Sequence, residues 1–118
     1  MVTDFGKELR KIRIDRDERL MDMADKIGKS SAFISAVEIG KKSPPQGFEE
    51  VIARVYNLTE NVKENLKLVA DRARKSFTIE PHSILGRDTA GLMARHMNEL
   101  SEEQLREIHA ILTKNKEV

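Results

Sequence analysis

Between Lys29 and Lys42 the chain sets small hydroxyl and methyl side chains among lysines, in the run KSSAFISAVEIGKK. Read as a helix, this segment turns Ile34, Val37 and part of Phe33 inward and leaves Ser31, Ala32, Ser35 and Ala36 facing outward. Serine hydroxyls donate and accept hydrogen bonds, alanine offers only a methyl contact, and the lysine ammonium is a point charge for anions. Such residues suit recognition by contact and offer no means of making or breaking bonds. Elsewhere the sequence has no HExxH, no glycine-rich phosphate loop, no triad-like arrangement and no cysteine. His82, His96 and His109 are too widely spaced for a metal box, and His96 falls on an apolar helix face as an interface residue. The many carboxylates fall on solvated helix faces. We expect a protein that is not an enzyme and uses no metal and no cofactor.

The elements that must position this run are short helices. Leu20, Met23, Ala24 and Ile27 recur at i, i+3, i+4 and i+7, the stripe of an amphipathic helix. Gly28 stops it, because glycine takes the left-handed conformation at little steric cost, and Ser30 with Ser31 offers hydroxyls to cap the next helix. Ala24 falls where two helices cross closely, Ile34 and Val37 where the second packs back, and Gly40 where it ends. That is the pattern of a helix-turn-helix. An earlier helix spans residues 4 to 16, with Asp4 as its cap, Phe5, Leu9 and Ile12 on its apolar face, and a solvated DRDER connection after it. Pro44 and Pro45 cannot continue a helix. Gln46 and Gly47 lead into the next one, Phe48 to Tyr56, with Val51, Ile52 and Val55 inward. Thr59 caps a fifth helix that carries Val62, Leu66, Val69, Ala70 and Ala73 and runs to about Lys75.

Together the segments FGKELRKIR, MADKIG, SAFISAVEIGKKSPP and FEEVIARVYNL resemble the Xre family of lambda-repressor-like regulators, roughly from residue 4 to residue 75. The resemblance implies an all-α, five-helix helix-turn-helix domain over residues 1–75 that binds double-stranded DNA. It further implies a homodimeric repressor on an inverted repeat. Carried over position by position, Ser31, Ala32, Ser35 and Ala36 would meet base edges, and Leu20 stands where many relatives place a glutamine. Serine bonds several base edges and alanine meets a thymine methyl, but neither gives bidentate pairing, so direct readout is modest and DNA shape must contribute. Phosphate contacts are expected from the amides at Arg19 and Leu20, from Lys29, Ser30, Lys41, Lys42 and Ser43, and from Gln46 and Gly47. The resemblance also implies a structural ion pair between Arg13 and Glu38. Two alternatives stand beside this reading. One is an antitoxin whose C-terminal region grips a toxin; the other is a helical interaction module without DNA binding.

Past residue 75 the texture changes. Phe77 and Ile79 alternate with polar residues in SFTIE, residues 76–80, which reads as a short strand pairing with its copy in another subunit, or as an extended linker. A loop from His82 to Arg87 precedes a helix from Asp88, whose stripe is Leu92, Met93, His96, Met97 and Leu100. Ser101 with Gln104 forms a capping box for a last helix carrying Leu105, Ile108, Ile111 and Leu112. Two such helices cannot bury both stripes on one another, so residues 76–118 read as a dimerisation region. Its interface would comprise Phe77, Ile79, Leu92, Met93, His96, Met97, Leu100, Leu105, Ile108 and Leu112. Met21 and Met23, like Met93 and Met97, read as core packing.

Composition bounds these readings. At 118 residues there is room for one ordinary domain and a small appendage. Charged residues make up 35% and aromatics 4%, which favours an aliphatic helical core over a β-sandwich. Net charge is only +1, and residues 1–45 hold ten Lys or Arg against eight Asp or Glu, so any phosphate footprint must come from local placement. No long apolar run or signal-peptide pattern opens the chain, so we expect a cytoplasmic protein with no membrane partner.

Overall fold

The computed structural model describes residues 1–116, in two compact units: Met1–Phe77, and a second that begins at Thr78. Every regular element among the described residues is a helix, and there is no strand. The first unit holds α1 (Asp4–Asp15), α2 (Leu20–Ile27), α3 (Ser31–Glu38), α4 (Phe48–Val55) and α5 (Glu60–Ala73). The second holds α6 (Ile84–His96), a 3₁₀ turn (Met97–Glu99) and α7 (Glu102–Lys116).

Local chemistry sets the boundaries of the first five helices. Thr3, not Asp4, caps α1: its hydroxyl accepts the Gly6 amide at 3.0 Å, and Asp4 becomes the first helical residue, where its charge suits the helix dipole. Gly28 closes α2 at φ 79°, a conformation that a side chain would strain, and its amide reaches the Ala24 carbonyl at 2.9 Å. Two residues on, the Ser30 hydroxyl accepts the Phe33 amide at 3.0 Å and starts α3. Thr59 starts α5 in the same way, through the Val62 amide.

The five helices enclose one core. Phe5, Leu9 and Ile12 of α1 meet Met23 and Ala24 of α2, Ile34 and Val37 of α3, Phe48, Ile52 and Tyr56 at α4, and Leu66, Val69 and Ala70 of α5. α1 packs on both α3 and α5, and α2 on both α3 and α4. The closest approach is at Gly6, where an added Cβ would stand 2.3 Å from the Glu38 carbonyl oxygen. That carbonyl also accepts the Thr3 amide at 2.9 Å and the Thr3 hydroxyl at 3.2 Å, so the start of α1 is sewn to the end of α3.

Several expectations are corrected. Residues 76–80 form no strand, and Phe77 and Ile79 are 63% and 62% exposed. Alternation marks which side chains share a face of an extended chain, but a strand exists only where a neighbour completes its hydrogen bonds. α6 begins at Ile84 rather than Asp88, because Ser83 caps it by accepting the Gly86 amide at 2.9 Å; the loop expected up to Arg87 is shorter. α5 ends at Ala73, with Arg74 extended at φ −88°, ψ 140°. Met21 is exposed while Met23 is buried, so only one of that pair packs in the core, and Val55 and Val62 also face solvent.

In the second unit the Ser101–Gln104 box forms in both directions, at 2.9 and 3.1 Å. None of residues 78–114 is buried. Met93, Leu100, Leu105 and Ile108 are partly covered, whereas Leu92, His96, Met97 and Leu112 are exposed. Residues 117 and 118, included in the expected dimerisation region, lie outside the described residues.

Candidate functional site

The small side chains singled out from sequence lie along α3, which the core holds by Ile34 and Val37. Ala32 is exposed, and Ser31, Ser35 and Ala36 are partly exposed. A short cap chemistry fixes both ends of this helix. Ser30 spends its acceptor on the Phe33 amide, leaving its own O–H free to donate outward. At the far end the Ala36 carbonyl accepts the Lys41 and Lys42 amides at 2.9 and 3.2 Å, so the backbone of the basic loop is tied to the last turn of α3.

Phe33 organises the charges beside that face. Its ring packs edge-on against Phe48, centroids 5.8 Å apart, and Phe48 in turn packs on Phe5 at 6.1 Å. The outer part of the Phe33 ring carries two cations: Lys29 Nζ and Lys42 Nζ each lie 5.5 Å from its centroid. Residues thirteen apart in sequence are thereby brought to one aromatic platform, each held by the ring quadrupole. Sequence reading recognised both lysines and missed the platform, since a half-buried phenylalanine looks like ordinary packing.

Other expected residues scatter. Lys41, Ser43 and Gln46 are exposed on the loop before α4, and Gly47 stands immediately before that helix. At the start of α2, the Asp22 carboxylate accepts the Arg19 amide at 2.8 Å, so an anion of the protein itself occupies one donor expected to meet phosphate. Leu20 packs partly into the core.

Arg13 and Glu38 form the expected pair, as a larger cluster. Arg13 Nη1 donates to Glu38 Oε2 at 2.5 Å and Nη2 to Oε1 at 3.3 Å, while Arg10 Nε donates to the same Oε1 at 3.3 Å. Glu38 is 2% exposed, and two guanidiniums offset its desolvation.

Two polar clusters had no sequence signal. Between α1 and α2, in the run read as a solvated connection, Glu18 accepts the Tyr56 hydroxyl at 2.6 Å and pairs with Lys26, while Arg16 donates to the Tyr56 carbonyl at 3.3 Å. Burial alone would push the Glu18 carboxyl up, but the Lys26 and Tyr56 hydrogen bonds outweigh it and hold it below the ordinary range. Burial and the neighbouring Glu18 carboxylate push the Tyr56 phenol up. The second cluster centres on Arg74. Its guanidinium donates to the Pro44 and Pro45 carbonyls at 2.9 and 2.6 Å, to both Glu49 oxygens at 3.0 and 2.5 Å, and to Asp71 at 3.2 Å. Here too the Arg74 bonds outweigh burial and hold the Glu49 carboxyl low.

Among the described residues no group of three or more His, Cys, Asp or Glu side chains is placed to hold a metal ion. Nor is any helix there long and apolar enough to cross a membrane. In architectural terms the site is an exposed face of small side chains on the second of two short helices joined by a tight turn, flanked by ordered lysines. No model of a known protein family, no curated protein and no solved structure matches the chain.

Proposed function

We propose that the chain is a sequence-specific DNA-binding transcriptional regulator of the Xre type, a homodimeric repressor that lays one α3 per half-site into the major groove. The observation that carries this is the pairing of α3's small outward face with Lys29 and Lys42 on Phe33. A helix with short side chains lets its backbone approach base edges closely, and ammonium groups beside it neutralise the phosphates that border a groove. Lys41, Ser43 and Gln46 extend that border, and the unburied apolar surface of the second unit calls for a second copy. Two-fold symmetry then sets half-sites roughly 34 Å apart, or a multiple of that. The test is selection of duplexes from a random pool by the purified full chain. An enriched inverted repeat, whose affinity is lost on scrambling and in the Ser35→Glu, Ala36→Glu double variant, is the expected result. Recovery of no motif, or a double variant that binds as the parent does, would reject the reading.

A second reading, the autoregulating antitoxin, is favoured by one observation: from Ile84 to residue 114 no residue is buried in the single chain. A toxin could supply the missing cover as well as a second copy. Copurification with the product of the adjacent gene, at one-to-one stoichiometry, distinguishes it from a plain homodimer.

A further inference from the structure

We infer that Arg74 is a positioning residue for DNA contact: from the end of α5 it clamps the loop after α3 in the geometry that presents Lys41, Lys42 and Ser43 to phosphate. This rests on the DNA-binding reading above and adds a residue that the reading does not contain.

The loop from Gly40 to Gly47 contains two prolines and, before them, the exposed run Lys41, Lys42 and Ser43. The Pro44 and Pro45 carbonyls need donors, and the backbone supplies one of them, the Phe48 amide, which reaches the Pro45 carbonyl at 3.0 Å. Arg74 reaches both carbonyls from outside the loop, through Nε to Pro44 and Nη2 to Pro45. The planar fork that reaches two successive carbonyls also grips Glu49 bidentately, and Glu49 belongs to the first turn of α4, on the other side of the loop. The guanidinium is 9% exposed and spread over Glu49, Asp71 and the two carbonyls, so it is itself no phosphate ligand. It joins α5 to the first turn of α4 and locks the loop's far end, while the Lys41 and Lys42 amides lock the near end to Ala36. A lysine at position 74 would bring the charge but not the fork.

The experiment uses the full chain and compares the parent with Arg74→Met and Arg74→Lys. Amide hydrogen exchange reads the loop without DNA. Arg74→Met should speed exchange at the loop amides and leave α1 to α3 protected; equal loop protection in the two proteins would overturn the clamp. Binding to a random-sequence duplex then reads the consequence. Losing about two phosphate contacts lowers the slope of log K against log salt by roughly 1.8, so the affinity gap between parent and Arg74→Met should narrow about tenfold from 50 to 200 mM salt. Arg74→Lys should recover part of that slope. In a double-mutant cycle, Lys41→Ala with Lys42→Ala should cost much less in the Arg74→Met background than in the parent, whereas a merely structural Arg74 gives additive effects. Additivity, or an unchanged slope, overturns the inference alone. A parent chain that does not bind duplex overturns the DNA-binding reading, and the inference with it.

Discussion

Removing Glu38 should destabilise the first unit far more than removing its partner Arg13, and removing both should restore most of the loss. Glu38 is 2% exposed and Arg13 8%, so each depends on the other for compensation. The two are not equivalent, however. In Arg13→Met, Glu38 keeps Arg10 Nε at 3.3 Å, and the cost is that of a lost charged hydrogen-bond pair, about 1.5 to 3 kcal/mol. In Glu38→Met, Arg13 keeps only the Met23 sulfur at 3.3 Å and stands as an uncompensated buried cation, at about 3 to 5 kcal/mol. A unit of 77 residues has a total stability of about 4 to 12 kcal/mol, so the second loss is a large fraction of it. The double variant buries two apolar side chains where a desolvated pair stood, and Arg10, half exposed, swings to water. Its stability should lie within about 1 kcal/mol of the parent.

Tyr56 is the protein's only tyrosine, there is no tryptophan, and it is buried in the first unit, so its fluorescence in urea follows that unit's unfolding selectively. At roughly 4 to 8 °C per kcal/mol, Glu38→Met should lower the midpoint of thermal unfolding by about 12 °C or more. If the double variant is as unstable as the two single losses summed, or if Arg13→Met is the worse of the two, the account of the cluster is wrong.

Other substitutions follow from the same geometry. Gly6→Ala forces a methyl to 2.3 Å from the Glu38 carbonyl oxygen, so α1 must shift from α3; a loss of about 1 to 3 kcal/mol in urea titration is expected. Phe33→Leu, on a half-buried ring, should leave the fold intact yet release Lys29 and Lys42, which on the proposed DNA-binding reading lowers the salt slope of binding by about one. Because the folded Glu49 carboxyl titrates below its ordinary value of 4.5, its contribution is full above that value and is lost as pH falls through the lowered one. Thermal scans between neutral pH and pH 3 should therefore show Glu49→Gln less stable at neutral pH but with a flatter acid limb than the parent. If the chain is the proposed homodimeric regulator, Leu92→Glu with Leu112→Glu, both at exposed apolar positions, should give a monomer in sedimentation and weaken operator binding.

What could be read from sequence was short-range. The stripe Leu20, Met23, Ala24, Ile27, the stop at Gly28 and the Ser101–Gln104 box all depend on residues within about two helical turns, where periodicity and capping chemistry act. Where neighbouring residues offer the same chemistry, the boundary slips: Thr3 and Asp4 both cap well, and Ser83 starts α6 a turn before the polar Asp88 suggested. Of the polar contacts across the fold, the Arg13–Glu38 pair was expected from the family resemblance alone, and the others left no mark. Arg74 and Glu49 are 25 residues apart, Glu18 and Tyr56 38, and each looks like one more surface charge or core aromatic until the helices meet. The segment at 76–80 fails for a different reason. Its alternation is real, but pairing is a property of two segments, and the sequence contains only one of them.

On the proposed reading, the site substitutes rigidity for reach. Serine and alanine cannot span to a base edge as arginine or glutamine does, so α3 must be held close and in one orientation. The Glu38 cluster, the Thr3 hydrogen bonds and the Gly6 contact all bear on the last residue of α3 from the α1 side, and Arg74 and Glu49 bear on the loop beyond it. Lysines add charge but carry up to about 2 kcal/mol of rotamer entropy each, which free side chains lose on binding. Resting Lys29 and Lys42 on Phe33 removes part of that freedom before any ligand arrives, so the ring acts on affinity without touching DNA. The mechanism therefore predicts an order among variants that contact alone would not: loosening Phe33 or Arg74 should cost more DNA affinity than deleting Ser43, although Ser43 is exposed and both of the others are held within the protein.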